Sequence, residues 1–175
     1  MKINLIVSTY RLREIDAQSE LHWLLNSFGD ENPTFQITKL SGILTARTNL
    51  DPFQVVRRLK GLIHEEPWNV RFILRMIPIE FALFDAGTDL VKEAFTRLSS
   101  KMKRSDTFRI TVEKRGTPIS SSEIISKIGS IFDNPVNLEN PCWLVLVEII
   151  GKVIGVSILR PDDIFSLERE IRREL

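Results

Sequence analysis

The sequence has few of the side chains that carry out most protein chemistry. It contains one cysteine, Cys142, and two histidines, His22 and His64. One thiol can form neither an internal disulfide nor a thiolate metal cluster. Neither histidine has a second histidine at metal-binding spacing, so we interpret both as structural or surface residues. We therefore expect no disulfide, no metal and no cofactor.

Long apolar segments and a dominant charge of one sign are also missing. No apolar run approaches the roughly 20 residues that a membrane helix needs. The N-terminus, with Lys2 and a short apolar run, does not resemble a signal peptide. The net charge is only +1 over 175 residues, so any affinity for nucleic acid must come from local clusters. We expect a cytoplasmic protein with no membrane partner.

No catalytic motif is visible. The 8 glycines form neither a dinucleotide-binding fingerprint nor a Walker loop, and no G-x-S-x-G elbow is present. The acid pairs 65–66 and 162–163 are adjacent, which is typical of caps or solvated charge rather than of opposed carboxylates. Cys142 begins an apolar strand without a nearby base, which favours a small core residue over a nucleophile. We expect no enzymatic activity and no small-molecule substrate.

The first half predicts a βαββαβ order, which is that of a ferredoxin-like fold. Apolar stripes at i, i+3, i+4 and i+7 predict a helix through Leu21 and a second helix that begins at Pro52, after the capping residue Asp51. The predicted strands cover residues 3–7, 35–37, 43–47 and 70–77. We place this ferredoxin-like domain at residues 1–81.

The second half predicts a small α/β domain at residues 82–162, so the expected class for the whole chain is α+β. A helix runs from Leu90 to Met102, and a strand with alternating apolar residues follows from Phe108. Ser120 and Glu123 have the spacing of a capping box. The helix that they begin buries a core face, which we assign to Ile124, Ile125, Ile128, Ile131 and Phe132.

An apolar hairpin and a charged helix end the chain. Residues 144–150 are almost continuously apolar, as in a strand covered on both faces, and Gly151-Lys152 is a two-residue turn into residues 153–159. Residues 161–163 cap a last helix, which we treat as a separate segment at 163–175. Its mixed charges favour a solvated face.

Basic residues are concentrated in two stretches. Residues 97–115 hold seven basic residues and two acids, a balance of +5, and residues 39–75 hold seven and three, a balance of +4. Such segregation favours a positive surface that follows a phosphate backbone. Runs at helix ends, such as 101–104, are more often solubilising than functional.

The strongest candidate anion site lies after the strand at 107–116. Lys114 and Arg115 precede a turn with Thr117 and the helix start at Ser120, and free N–H groups at a helix N-terminus attract anions. Arg109 lies on the same strand. Tyr10 precedes a cation, Arg11, and could stack on a nucleobase. Packing in the core is an equally good interpretation of Tyr10. The full set of candidate RNA-binding residues is Lys114, Arg115, Arg109, Arg71, Arg75, Arg11, Thr117 and Ser120.

The second half resembles a THUMP domain. The resemblance rests on the strand 108–117 (FRITVEKRGT), the helix start 120–123, the loop 136–141 and the hairpin 144–158. Residues 5–11, 51–53, 65–68 and 71–78 of the first half are similar to archaeal and eukaryotic THUMP-only proteins, which are adaptors in the formation of N4-acetylcytidine in tRNA.

This resemblance implies a protein that binds tRNA and does not itself catalyse. In THUMP enzymes a further domain performs the chemistry, and we expect none after the match in this sequence. The implied partners are tRNA and a separate RNA cytidine acetyltransferase. Two alternatives stay open: the RNA-binding subunit of another tRNA-modifying enzyme, and a protein-interaction module.

Overall fold

The computed structural model describes residues 2–173, which fold as two units. The first unit combines residues 2–79 with residues 162–173, and the second covers residues 80–161. In chain order the elements are β1 (Leu5–Ser8), α1 (Glu14–Ser27), β2 (Thr34–Ile37), β3 (Ile43–Arg47), α2 (Pro52–Glu65), β4 (Arg75–Pro78), β5 (Phe81–Phe84), α3 (Thr88–Leu98), β6 (Phe108–Arg115), α4 (Ser121–Gly129), β7 (Trp143–Ile150), β8 (Val153–Leu159), β9 (Phe165–Ser166) and α5 (Leu167–Arg173). The predicted α+β class is confirmed.

The first unit is built on an antiparallel sheet in the order β2-β3-β1-β4-β9. Its core joins this sheet to the apolar stripes of α1 and α2, with Leu24, Leu59 and Phe165 fully buried. The predicted start of α2 is confirmed, because the Asp51 carboxylate accepts the N–H of Phe53 at 2.9 Å. This contact satisfies one of the N–H groups that a helix start leaves without a partner.

The second unit has a mixed sheet in the order β5-β8-β7-β6. β6 and β7 are parallel and are joined through α4, whereas β7, β8 and β5 pair antiparallel. Every residue of β7 is buried, as its apolar sequence predicts. Phe95 of α3 and Ile128 of α4 pack with Val147 in one core cluster.

Two predicted elements are shorter than the sequence indicates. The strand expected at 70–77 begins only at Arg75, because the Glu20 carboxylate accepts the N–H groups of residues 71–73 at 2.8–3.1 Å. These N–H groups are therefore not available to a β-ladder. The helix expected to reach Met102 ends at Leu98 and continues as a short 3-10 turn.

The predictions of a capping box at α4 and of part of its buried face are wrong. Ser120 occupies the N-cap position, but its hydroxyl lies 2.8 Å from the Ser122 hydroxyl and makes no capping bond. Ile125 is 42% exposed, whereas Ile124 and Ile128 are buried. Cys142 was expected in the core and is exposed, because it precedes β7 instead of lying in it.

The last segment is only partly a solvated helix, because α5 exposes Glu168, Arg172 and Arg173 but buries Glu170. Residues 161–163 form a 3-10 turn, β9 adds an edge strand to the first sheet beside β4, and only then does α5 begin. Phe165 and Glu170 are fully buried. We predicted boundaries after residues 81 and 162. The structure assigns residues 162–173 to the same unit as residues 2–79.

Candidate nucleic-acid interface

Lys114 and Arg115 end β6, an edge strand of the second sheet, and both are exposed. Successive side chains of a strand point to opposite faces, so the two cations project to opposite sides of this edge. Lys114 shares the face of Ile110, which packs against α4, and its Nζ donates to the Ile119 carbonyl at 2.7 Å. Arg115 shares the face of Arg109. The structure therefore places the two charges at one rim, on different faces.

A groove of about 480 Å³ lies beside Lys114, and the first turns of two helices line it. Gly87 and Thr88 contribute the start of α3, and Ser120 and Glu123 contribute the start of α4. Ile119, which accepts the bond from Lys114, also lines it. We call this the two-helix groove. Gly87 and Thr88 were not among the predicted site residues, although Thr88 and Asp89 before an apolar stripe are a recognisable helix-start signal.

Neither helix start in the two-helix groove is capped by a side chain. The first N–H groups of a helix carry a partial positive charge, and an anion is a common partner for them. The Lys114 ammonium adds a full positive charge beside the start of α4. Glu123 in the first turn of α4 offsets part of this charge. The arrangement suits a phosphate group that approaches from the Lys114 side.

Two other predicted residues of the second unit have structural contacts. Arg109 is half-buried, and its guanidinium donates to the Leu138 carbonyl at 2.7 Å, which fixes the loop after α4. The Thr117 hydroxyl accepts the N–H of Ile119 at 3.4 Å. Thr117 thus shapes the turn into α4. Arg115, Lys114 and Ser120 keep the exposure that a ligand contact requires.

Of the three predicted residues in the first unit, Arg71 and Arg11 are exposed and Arg75 is half-buried. Arg71 is exposed, and its Nε donates to the Trp68 carbonyl at 3.2 Å, next to the segment that Glu20 holds. Arg75 is half-buried in β4, where it pairs with Ser8 of β1. Arg11 is exposed in the turn between β1 and α1.

Several basic residues of the two charged stretches serve the fold. Lys101 Nζ lies 2.7 Å from a Glu80 carboxylate oxygen, Lys60 is only 11% exposed beside Glu170, and the Arg58 guanidinium stacks 4.2 Å from the centroid of the Phe28 ring. The positive surface predicted from sequence is accordingly reduced. Lys103, Arg104, Lys114 and Arg115 remain exposed in the second unit.

The exposed thiol of Cys142 lies in a polar environment. Hydrogen bonding by Thr107 holds the pKa of the Cys142 thiol below its usual range, and the charge of Arg160 acts in the same direction. Burial and the Asp106 carboxylate oppose this shift. Because the thiolate is the reactive form, Cys142 should react faster than an ordinary surface cysteine near neutral pH.

We expect Thr107→Val to slow alkylation of Cys142 in the folded protein. The substitution removes the hydrogen bond that lowers the pKa of the thiol, so the thiolate fraction at pH 7 falls. Iodoacetamide labelling followed over pH 6–10 should show a several-fold lower rate at pH 7 and a profile displaced to higher pH. Both proteins should react equally in denaturant. Identical profiles for the two folded proteins would contradict this role of Thr107.

Within residues 2–173, no group of three or more histidine, cysteine or acidic side chains has the geometry to hold a metal ion. The same residues include no helix long and apolar enough to cross a membrane.

Comparison with known proteins identifies the second unit. The family model described as THUMP domain matches residues 82–159, and no curated protein matches the sequence. The fold is similar to that of PH1313 from Pyrococcus horikoshii Ot3, with 17% identity, a TM-score of 0.62, and coverage of 91% of this chain and 55% of that one.

Two other solved structures share the fold. TrmN from Thermus thermophilus has 17% identity and a TM-score of 0.55, with coverage of 90% of this chain and 46% of that one. A 4-thiouridine synthetase, solved with RNA and ATP, has 13% identity and a TM-score of 0.57, with 90% and 41% covered. The chain thus spans about half the length of these proteins, and at such identities the likeness is one of fold.

Proposed function

Since residues 82–159 of this chain match the THUMP domain, we propose that the protein binds tRNA and presents it to a separate RNA cytidine acetyltransferase. The THUMP domain is an RNA-binding module. The observation that carries the proposal is the two-helix groove beside Lys114, with Arg115 exposed on the opposite face of the same strand end. A neighbour of similar fold, the 4-thiouridine synthetase, was solved as an RNA complex.

We further propose that residues 2–79 form a ferredoxin-like domain. The element order βαββαβ and the antiparallel strand order β2-β3-β1-β4 support this proposal. The exposed Arg11 and Arg71 give this domain cations for a second set of phosphate contacts. The proposed role as an adaptor rests on the resemblance of residues 5–11, 51–53, 65–68 and 71–78 to THUMP-only proteins.

Charge reversal at the end of β6, at Lys114 and Arg115, tests the RNA-binding part of the proposal. We expect the double variant Lys114→Glu, Arg115→Glu to bind tRNA about 10-fold or more weakly near 0.1 M salt. Its plot of log K against log salt should lose a slope of about two, because each lost phosphate contact removes about one. Filter binding or fluorescence anisotropy over a salt series measures both quantities.

A matched control carries the same change of charge elsewhere. Lys39→Glu, Arg47→Glu alters two exposed cations around the β2–β3 hairpin of the first unit and should leave both affinity and slope nearly unchanged. Normal tRNA binding by the Lys114 and Arg115 variant would refute the assignment of the interface.

The identity of the modification is tested separately. Nucleoside analysis of tRNA from a strain that lacks the protein should show the loss of N4-acetylcytidine. Loss of a different modified nucleoside would instead support the alternative of an RNA-binding subunit for another tRNA-modifying enzyme.

The edge strand β5 favours a second candidate function, protein interaction. The strand reads Phe-Ala-Leu-Phe, and Phe84 is 72% exposed. The main-chain groups of Ala82 and Phe84 point away from β8 and make no hydrogen bond among residues 2–173. Such an edge can accept a strand from a partner. A partner complex that Phe84→Lys disrupts, together with no tRNA gel shift at low salt, would favour this function.

A further inference from the structure

The first unit contains a second groove, which we call the Tyr10 groove. It has a volume of about 550 Å³ and is lined by Tyr10, Leu74, Ser166, Leu167, Ile171 and Arg172. Two main-chain hydrogen bonds connect the segments that line the groove. The N–H of Leu74 donates to the Ser8 carbonyl at 2.9 Å, and the N–H of Leu167 donates to the Leu74 carbonyl at 2.9 Å. The groove therefore lies where β1 ends, β4 begins and β9 passes into α5.

The turn after β1 presents an aromatic ring and a cation together. Tyr10 is 53% exposed, although it lines the groove, and Arg11 beside it is exposed. The N–H of Arg13 donates to the Tyr10 carbonyl at 3.1 Å and closes the turn. Leu12 lies in the left-handed region at φ 64°, which a leucine rarely adopts, and its side chain is 90% exposed. An exposed leucine in such a conformation contributes nothing to the core and marks the turn as a functional candidate.

The chemistry of the groove suits one class of ligand. Tyr10 offers an aromatic face, and Leu74, Leu167 and Ile171 supply apolar walls. Arg172 lines the groove as the partner of Glu168, and Arg11, next to Tyr10 in the chain, adds an exposed positive charge. Aromatic and apolar surface beside cations is the combination that single-stranded nucleic acid recognises, since every base has a stacking face and a neighbouring phosphate. The volume is also in the range of small-ligand sites.

We infer that the Tyr10 groove binds one unpaired nucleobase of the RNA, stacked on the Tyr10 ring, with the adjoining phosphate at Arg11. This site rests on the proposed RNA-binding function and adds to it a base contact made by the first unit, besides the phosphate contacts proposed for Lys114 and Arg115 of the second unit. Glu168 also lines the groove, where it pairs with Arg172. Its carboxylate provides an acceptor for an amino group on the edge of a base.

Photochemical crosslinking locates the contact directly. A tRNA transcript that contains 4-thiouridine is bound to the full-length protein and irradiated, and the attached peptides are identified by mass spectrometry. We expect a crosslink at Tyr10 or Arg11. Crosslinks confined to the second unit would overturn the groove assignment while leaving the proposed function in place.

Substitution of Tyr10 measures the energetic contribution of stacking. Tyr10→Ala should weaken tRNA binding about 5- to 150-fold, which corresponds to the roughly 1–3 kcal/mol that one stacked base contributes. The salt slope should stay unchanged, because a stacking contact releases no counterion. Tyr10→Phe keeps the ring and should bind normally, and Trp23→Ala removes a ring of similar exposure, 48%, on α1 and should have no effect.

The outcomes separate the two proposals. Normal affinity of Tyr10→Ala, combined with weak binding by the Lys114 and Arg115 variant, refutes the base site alone. No tRNA binding by the unmodified protein refutes the proposed function and the base site together. A reduced salt slope in Tyr10→Ala would show a phosphate contact instead of stacking and would also overturn the inference.

Discussion

Glu170→Ala is expected to lower the free energy of unfolding of the first unit by about 2–3 kcal/mol, which is less than the roughly 3–5 kcal/mol for breaking a fully buried ion pair. Glu170 of α5 is fully buried. Its carboxylate oxygens lie 3.5 Å from Lys60 Nζ, 3.5 Å from His64 Nε2 and 3.6 Å from an Arg173 guanidinium nitrogen. Removal of this carboxylate leaves Lys60, which is only 11% exposed, with Asp162 as its remaining acidic partner.

Urea denaturation of the full chain measures this loss, with far-UV circular dichroism and tryptophan fluorescence as probes. Glu168→Ala is the matched control, because Glu168 is an exposed carboxylate of the same helix that pairs with Arg172 at the surface. Exposed pairs contribute about 0–1 kcal/mol. Equal stability of the two variants would show that the burial of Glu170 has no energetic consequence.

Asp30→Asn should cost about 3 kcal/mol at pH 7, because Asp30 joins two loops of the first unit from a buried position. The carboxylate is 2% exposed and accepts the Thr48 hydroxyl at 2.5 Å, the N–H of Asn49 at 2.9 Å and the N–H of Asn32 at 3.1 Å. Hydrogen bonds to a charged group contribute about 1.5–3 kcal/mol each and do not add fully. An amide keeps the shape of the side chain but loses the charge and one acceptor oxygen.

The contribution of Asp30 should depend on pH in a defined direction. Burial alone would raise the pKa of Asp30, but the hydrogen bonds from Thr48, Asn49 and Asn32 outweigh burial and hold the pKa below its ordinary value. A carboxylate with a lowered folded-state pKa contributes stability above its unfolded pKa of about 3.9 and loses it as the pH falls through the folded pKa. The difference between the unmodified protein and Asp30→Asn should therefore shrink below about pH 4.

Denaturation series at pH 7, 5, 4 and 3 measure that difference. Glu31→Gln, at the neighbouring exposed carboxylate, should show a difference near zero at every pH. A difference for Asp30→Asn that stays constant from pH 7 to pH 3 would contradict the lowered pKa.

Most helices and strands follow from apolar periodicity, and the exceptions have identifiable physical causes. β5 escaped prediction because its four apolar residues do not alternate with polar ones and precede a Gly-containing turn. The strand expected from Val70 starts late because a distant side chain, Glu20, takes the N–H groups of residues 71–73. β9 has two residues, too few for any pattern, and tertiary pairing with β4 defines it.

The candidate site was predictable in part. The positions of Lys114 and Arg115 at a strand end, and of Ser120 at a helix start, could be predicted from local sequence. The contact of Arg109 with the Leu138 carbonyl could not, because it depends on the path of a loop 29 residues away. The pairing of two helix starts in one groove depends equally on packing, since the start of α3 lies 33 positions before that of α4 in the chain.

The discontinuous first unit has a consequence for synthesis on the ribosome. β9 and the buried Phe165 belong to this unit, yet residues 80–161 of the second unit are made before them. At about 5–20 residues per second, the second unit takes about 4–16 seconds to emerge. During that interval β4 is an uncovered edge, which is a hazard for mispairing with another nascent chain. Fragments that stop before residue 162 should therefore aggregate more readily than the full chain.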